Sequence, residues 1–143
     1  MVVPGKVAVF NVIQNVLSIQ RILSIKTGST IIFVYDTDIK DDSKLKENIS
    51  ILKRYGFNNI IHIQQVSNFE DEILYCSNIK SINQIFNTEG IDEFKQRFIH
   101  SKNIINKLET IGFDINKIWT RKDNTLPFSK YVKNYGNDII KRR

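Results

Sequence analysis

The chain has 143 residues, 41% hydrophobic and 25% charged, with 21 Lys and Arg against 15 Asp and Glu for a net charge of +6. That composition predicts one globular domain with a core of its own. No apolar run approaches the roughly 18–20 residues of a membrane span and no signal peptide stands at the start, so the expectation is a cytoplasmic protein with no membrane partner.

Cys76 is the only cysteine, which excludes an internal disulfide and a multi-cysteine metal site and fits a reducing compartment. Val7-Ala8-Val9-Phe10-Asn11-Val12, preceded by Pro4-Gly5, reads as a buried strand. Phe10, Ile13 and Leu17 also fit helical spacing from Lys6 onward. Val16, Leu17, Ile19, Ile22 and Leu23 then form the apolar face of a helix over 15–25, broken by Thr27-Gly28-Ser29.

Thr30 to Tyr35 is the strongest strand pattern in the chain. It has no polar alternation, so burial on both faces is expected, as in a parallel sheet covered by helices. Asp41-Asp42-Ser43 offers helix N-caps. Leu45, Ile49 and Leu52 share one helical face, and Gly56 ends that helix in the left-handed conformation. Ile60-Ile61-His62-Ile63 is a second continuous apolar strand, which makes a βαβ unit with parallel strands.

From Ser67 onward the pattern turns helical or irregular, over 68–76, 79–87, 91–100, 101–111 and 127–141. Ile104, Ile105, Leu108 and Ile111 form an amphipathic face that Gly112 ends. The expected fold class is α/β, a largely parallel sheet with flanking helices, in a single domain over 1–143. Residues 1–66 form the α/β core and 67–143 a mainly helical, basic half.

Ligand sites in parallel α/β sheets lie beyond the carboxyl ends of the strands. Asp36 and Asp38 stand at such an end, and residues two apart on an extended segment project to the same side. Two carboxylates there repel unless a cation or a donor array relieves them. A hard cation such as Mg²⁺ suits a few carboxylate oxygens plus waters. The plainer reading is a turn followed by a cap. Past the next strand, Asn68-Phe69-Glu70-Asp71-Glu72 brings further carboxylates. They read equally as an N-capped, acidic first helical turn.

The combination of a hydrophobic strand ending in "VYDTD", a helix, a strand and "QVSNFEDEI" resembles the Toprim-like domains of the RloB-like group, found in bacterial defence contexts. The resemblance spans about Thr30 to Cys76. It implies a Toprim-like fold, metal binding at Asp36 and Asp38, a catalytic role for Glu70, Mg²⁺ as cofactor and phosphodiester chemistry on nucleic acid. Toprim domains also carry a glutamate at the end of an earlier strand as general acid/base, and this chain has no Asp or Glu among residues 1–35. Three explanations stay open: an activity lost, a role moved to Glu70 or Glu72, or a chain that starts late and lacks its first strand.

The basic C-terminal part contributes Arg121, Lys122, Lys130 and Lys133 as candidate nucleic-acid contacts, against a solvated-surface reading. Trp119, beside Thr120-Arg121-Lys122, suits base stacking or, as the favoured reading, anchoring of the helical half. His62 is expected as a packed strand histidine, His100 as a helix-end cation and Cys76 as a small buried hydrophobe. The functional expectation is therefore a divergent Toprim-family protein with Mg²⁺-dependent nucleic-acid hydrolysis or binding, in phage defence. The alternative is a non-catalytic protein-interaction module, in defence or counter-defence, on a degenerate Toprim framework.

Overall fold

The computed structural model describes residues 5–134, the side chains of Lys133 and Asn134 excepted. Five α-helices and a two-stranded parallel sheet make up the regular structure of that region. In chain order they are α1 (Ile19–Leu23), β1 (Ile31–Asp36), α2 (Ser43–Arg54), β2 (Ile60–Gln65), α3 (Phe69–Cys76), α4 (Ile91–His100) and α5 (Ile104–Thr110). Two 3₁₀ segments, Ile82–Ile85 and Phe128–Asn134, complete the set. The expected helix over 127–141 is thus a 3₁₀ segment as far as it is described, and its remainder lies outside the described residues.

The expected βαβ unit is β1–α2–β2, paired in register from Ile31 opposite Ile60 to Asp36 opposite Gln65. α2 forms where Leu45 and Leu52 repeat on one face, and both side chains are wholly buried. It stops in a Schellman motif. Phe57 N–H donates to Leu52 C=O and Gly56 N–H to Lys53 C=O, with Gly56 at φ +87°, a conformation that disfavours any side chain. α3 starts on Asn68, whose side chain accepts from Asp71 N–H at 2.9 Å, as the sequence predicts.

The N-terminal strand is not formed. Residues 5–11 have no regular structure, and Val7 and Val9 are 92% and 96% exposed. Asn11 redirects the chain: its side-chain oxygen accepts from Ile13 N–H and Gln14 N–H, both at 3.1 Å. Such local side-chain acceptors compete with a strand ladder. The turn drops Val12 and Ile13 into the core.

β1 also differs from expectation. Phe33 and Tyr35 are buried, but Ile32 and Val34 are 37% and 44% exposed. The helical half packs against β2 through α3, so β2 is buried along its length while β1 keeps one open face. The expected helix over 15–25 shortens to α1, capped by the Ser18 hydroxyl, which accepts from Arg21 N–H.

Two apolar clusters result. The first gathers Phe33, Tyr35 and Ile60 from the sheet with Leu45, Leu52, Ile22 and Phe128. The second gathers Ile73, Ile82, Ile85 and Phe94 in the helical half. Each fully buried Leu, Ile or Phe contributes about 1.5–3 kcal/mol through its removal from water.

Asn48 is the polar pin of the first cluster. It is wholly buried on α2 and accepts from Leu17 N–H at 2.7 Å. It also donates to Val12 C=O at 3.1 Å and Asn15 C=O at 2.8 Å. Three backbone groups of the 12–17 turn are thereby satisfied. Replacing Asn48 by Ala strands them in a dry environment, and a loss of about 3 kcal/mol is expected. Urea unfolding measures it; a loss below about 1 kcal/mol means the turn finds other partners.

Candidate cation site at the sheet rim

Thr37, between the two aspartates, builds the rim. It is wholly buried. Its N–H is shared between Gln65 C=O at 3.1 Å and Ser67 C=O at 2.9 Å, and its hydroxyl accepts from Ser67 N–H at 3.1 Å. This clamp joins the carboxyl ends of β1 and β2, and it explains why the alternation places Thr inward and Asp on either side of it. The sequence offered one signal for Thr37, its inward parity between two outward carboxylates.

Asp36 is half-buried, and its Oδ1 is buried with no hydrogen-bond partner. Burial pushes its carboxyl up to about 6, with the Asp38 and Glu70 charges adding to the rise and Lys95 opposing it. Asp36 and Asp38 line one groove, whereas Glu70 acts on Asp36 through its charge and is not part of that lining. Asp38 is exposed and accepts from Ile39 N–H at 2.8 Å, so part of its capacity goes to a local turn. Glu70, in the first turn of α3, pairs with Lys95 of α4 at 3.1 Å. No group of three or more His, Cys, Asp or Glu among the described residues forms a ready metal cage. Beside the aspartates lies an open groove of about 300 Å³, walled partly by the amides Asn11, Gln14 and Gln65.

Other acidic residues have structural tasks. Glu72 is wholly buried. It accepts from Trp119 N–H at 2.8 Å and pairs with Arg121, also at 2.8 Å. The Arg121 guanidinium further covers the Tyr75 ring at 4.6 Å. Asp123 is buried and ion-paired with Lys40. Burial raises its carboxyl, but hydrogen bonds from Lys40 and Thr125 prevail and hold it down to about 2.

The basic candidates are not gathered at the rim as a set. Arg121 belongs to Glu72. Lys130 pairs with Asp42 at 2.6 Å, far along the chain on α2's N-cap. Lys122 has an exposed side chain and interacts within the fold, and the Lys133 side chain lies outside the described residues. Trp119 is half-buried at φ +58°, its backbone tied to Glu72. His62 is packed as expected: buried, stacked on Tyr131, with Tyr35 hydroxyl 3.2 Å from Nδ1. Burial holds it down to about 4. Burial likewise pushes the Cys76 thiol up to about 11, which suits an inert hydrophobe. His100 ends α4, its Nδ1 2.8 Å from Gln96 C=O. No helix among the described residues is long and apolar enough to cross a membrane.

Comparison with family models, with curated proteins and with solved structures finds no match to this chain.

Two outcomes follow from these charges. The folded-state pKa of Asp36 stands near 6 against an ordinary 3.8, so the fold binds its proton more tightly than the unfolded chain does. Its contribution to stability is full below about pH 4 and is lost as pH rises through 6. Asp36→Asn should therefore raise stability at pH 7 by about 1 kcal/mol, after discounting for solvent screening of a half-exposed group, and change little at pH 4. Denaturant unfolding at both pH values tests the sign. Arg121→Met leaves Glu72 buried without its counter-charge, and a loss of about 3 kcal/mol or more is expected; a neutral result would show that the pair does not hold the returning segment.

Proposed function

We propose that this chain is a divergent Toprim-family protein that binds a divalent cation at the Asp36–Asp38 rim and acts on, or holds, a nucleic-acid backbone. The observation that carries the proposal is the Asp36 Oδ1 atom, buried without a donor beside two further carboxylate charges. An acceptor in that state is satisfied by a cation or by the carboxyl's own proton.

The donor set fits Mg²⁺, which keeps several waters and uses one or two carboxylates together with substrate phosphates, with no need for an all-protein cage. Asp36 and Asp38 would hold the ion, and Glu70 would join on leaving Lys95. When bound, such an ion polarises a phosphoryl oxygen and lowers the pKa of a water. The chain's own residues do the rest. Thr37 holds the two aspartates at a fixed spacing. The amides of Asn11, Gln14 and Gln65 offer donors along the groove to phosphate or sugar oxygens.

For proton transfer in the absence of an upstream glutamate, Glu72 is closed to the role by its burial and its bond to Arg121. Glu70 remains as the carboxylate at the rim. The net charge of +6 favours a polyanionic partner and makes its binding weaken with salt.

A second reading is a non-catalytic protein-interaction module, in defence or counter-defence, on a degenerate framework of the same kind. Two observations favour it: Asp38 serves the Ile39 amide, and Glu70 already has a cation in Lys95.

Metal titration separates the readings. With Mn²⁺ or Mg²⁺ at about 100 times its Kd, the wild-type thermal midpoint should rise by about 5 °C or more. The shift should vanish in Asp36→Asn together with Asp38→Asn. Cleavage of single- or double-stranded nucleic acid with Mn²⁺ should fall at least about 100-fold in the same variant. An unmoved midpoint leaves only the interaction module.

A further inference from the structure

We infer that residues 6–10 of a second copy of this chain add as an antiparallel strand to the outer edge of β1, making an arm-exchanged dimer. The inference is independent of the cation site.

β1 has a free edge. Ile31 N–H donates to Asn59 C=O and Thr37 N–H to Gln65 C=O, so the alternation of the ladder turns the backbone groups of Ile32, Val34 and Asp36 away from β2. No described residue hydrogen-bonds to the backbone of Ile32 or Val34 on that side, and both side chains are part-exposed. The strand Ile31-Ile32-Phe33-Val34-Tyr35-Asp36 has no Lys, Pro or bulge to blunt the edge. A two-stranded sheet gains little stability by itself, and an unblunted edge is a template for another strand.

The same chain holds a strand without a sheet. The run Val7-Ala8-Val9-Phe10 is β-prone, yet Val7 and Val9 are almost wholly exposed. Its root is fixed. Phe10 packs on the first cluster with the Arg21 guanidinium 4.9 Å from its ring centre, and Val12 and Ile13 enter the core. The arm before Phe10 is therefore presented to solvent from an anchored base.

Tether and charge decide whose arm it is. Asn11 walls the groove together with Val34, Asp36 and Asp38, so the root of the arm lies beside the carboxyl end of β1. The chain's own arm, laid back on β1 from there, would run parallel and carry Lys6 away from that end. An arm from a second copy has no such tether. Running antiparallel, with Val7 opposite Val34 and Val9 opposite Ile32, it brings the exposed Lys6 to the end where Asp36 and Asp38 stand. Opposed residues share a face, so four exposed apolar side chains cover one another. Val7 and Val9 then exchange backbone hydrogen bonds with the outward groups of Val34 and Ile32. Two-fold symmetry makes the exchange reciprocal.

Sedimentation velocity of the full chain, over concentrations reaching millimolar, should show a monomer–dimer equilibrium. Val7→Pro combined with Val9→Pro removes both arm donors at exposed positions. Circular dichroism should match wild type, while dimerisation weakens at least about tenfold. Oxidised mixtures of Val7→Cys and Val34→Cys chains locate the arm. A disulfide joining one chain of each kind is expected, with neither variant linking to itself; Cys76 is buried and does not compete. A monomer at every concentration, a dimer that the prolines leave intact, or a dimerising mixture without the mixed disulfide overturns the inference. So does Val34→Cys linking to itself, which reports two β1 edges paired directly. A chain carrying both cysteines that closes within a monomer overturns it too, since the arm then lies on its own sheet.

Discussion

The arrangement depends on two polar side chains buried behind β2. Gln64 and Glu72 are both wholly enclosed, and each reaches the segment that returns from the C-terminal half. Gln64 donates to Phe128 C=O at 3.0 Å and accepts from Asp123 N–H at 2.8 Å. Glu72 takes Trp119 N–H and the Arg121 guanidinium. A buried amide or carboxylate without partners is costly, so these groups fix the path of residues 119–128 and bring Phe128 into the first cluster. The basic segment is thereby a structural strap, and its cations serve the fold before they serve any ligand.

The strap has a consequence for the rim. Asp123, carried on it, lies close enough to Thr37 for the Thr37 hydroxyl to help hold its carboxyl down. Lys40, just past the aspartates, closes onto Asp123 and lies over the Phe128 ring. The turn after β1 is therefore held from below by Thr37 and from beyond by Lys40. Asp36 and Asp38 are left at the edge of the groove, where their charges have no such partners from the strap. Charge at this sheet end is divided: Asp123 and Glu72 are paired with Lys40 and Arg121 inside, while Glu70 pairs with the exposed Lys95, whose charge also acts on Asp36.

Local chemistry was legible where a single residue type carries its own reason. The apolar runs of β1 and β2, the Leu45–Leu52 face, Gly56 with its positive φ and the Asn68 cap all follow from short-range sterics and hydrogen bonding. The helix over 91–100 has the bounds expected of it. The Val7–Val12 strand failed because a β-prone run holds its shape only against a partner strand, and Asn11 offered its neighbours a turn instead. The same limit applies to β1. An unbroken apolar run does not reveal that one of its faces, Ile32 and Val34, will stay open.

By itself the sequence determined a βαβ unit whose first strand ends on two outward carboxylates, followed by a capped acidic helix. Those are consequences of period, parity and caps, which act over a few residues. Local pairs such as Arg97 with Glu93 follow helical spacing, but which cation answers Glu70 and Glu72 was decided only by the tertiary structure. Arg121 and Glu72 are 49 positions apart, and Lys95 meets Glu70 because Phe94 buries itself in the helical cluster. Pairings of that kind depend on how α3, α4 and the returning strap close around β2, and no spacing along the chain records them.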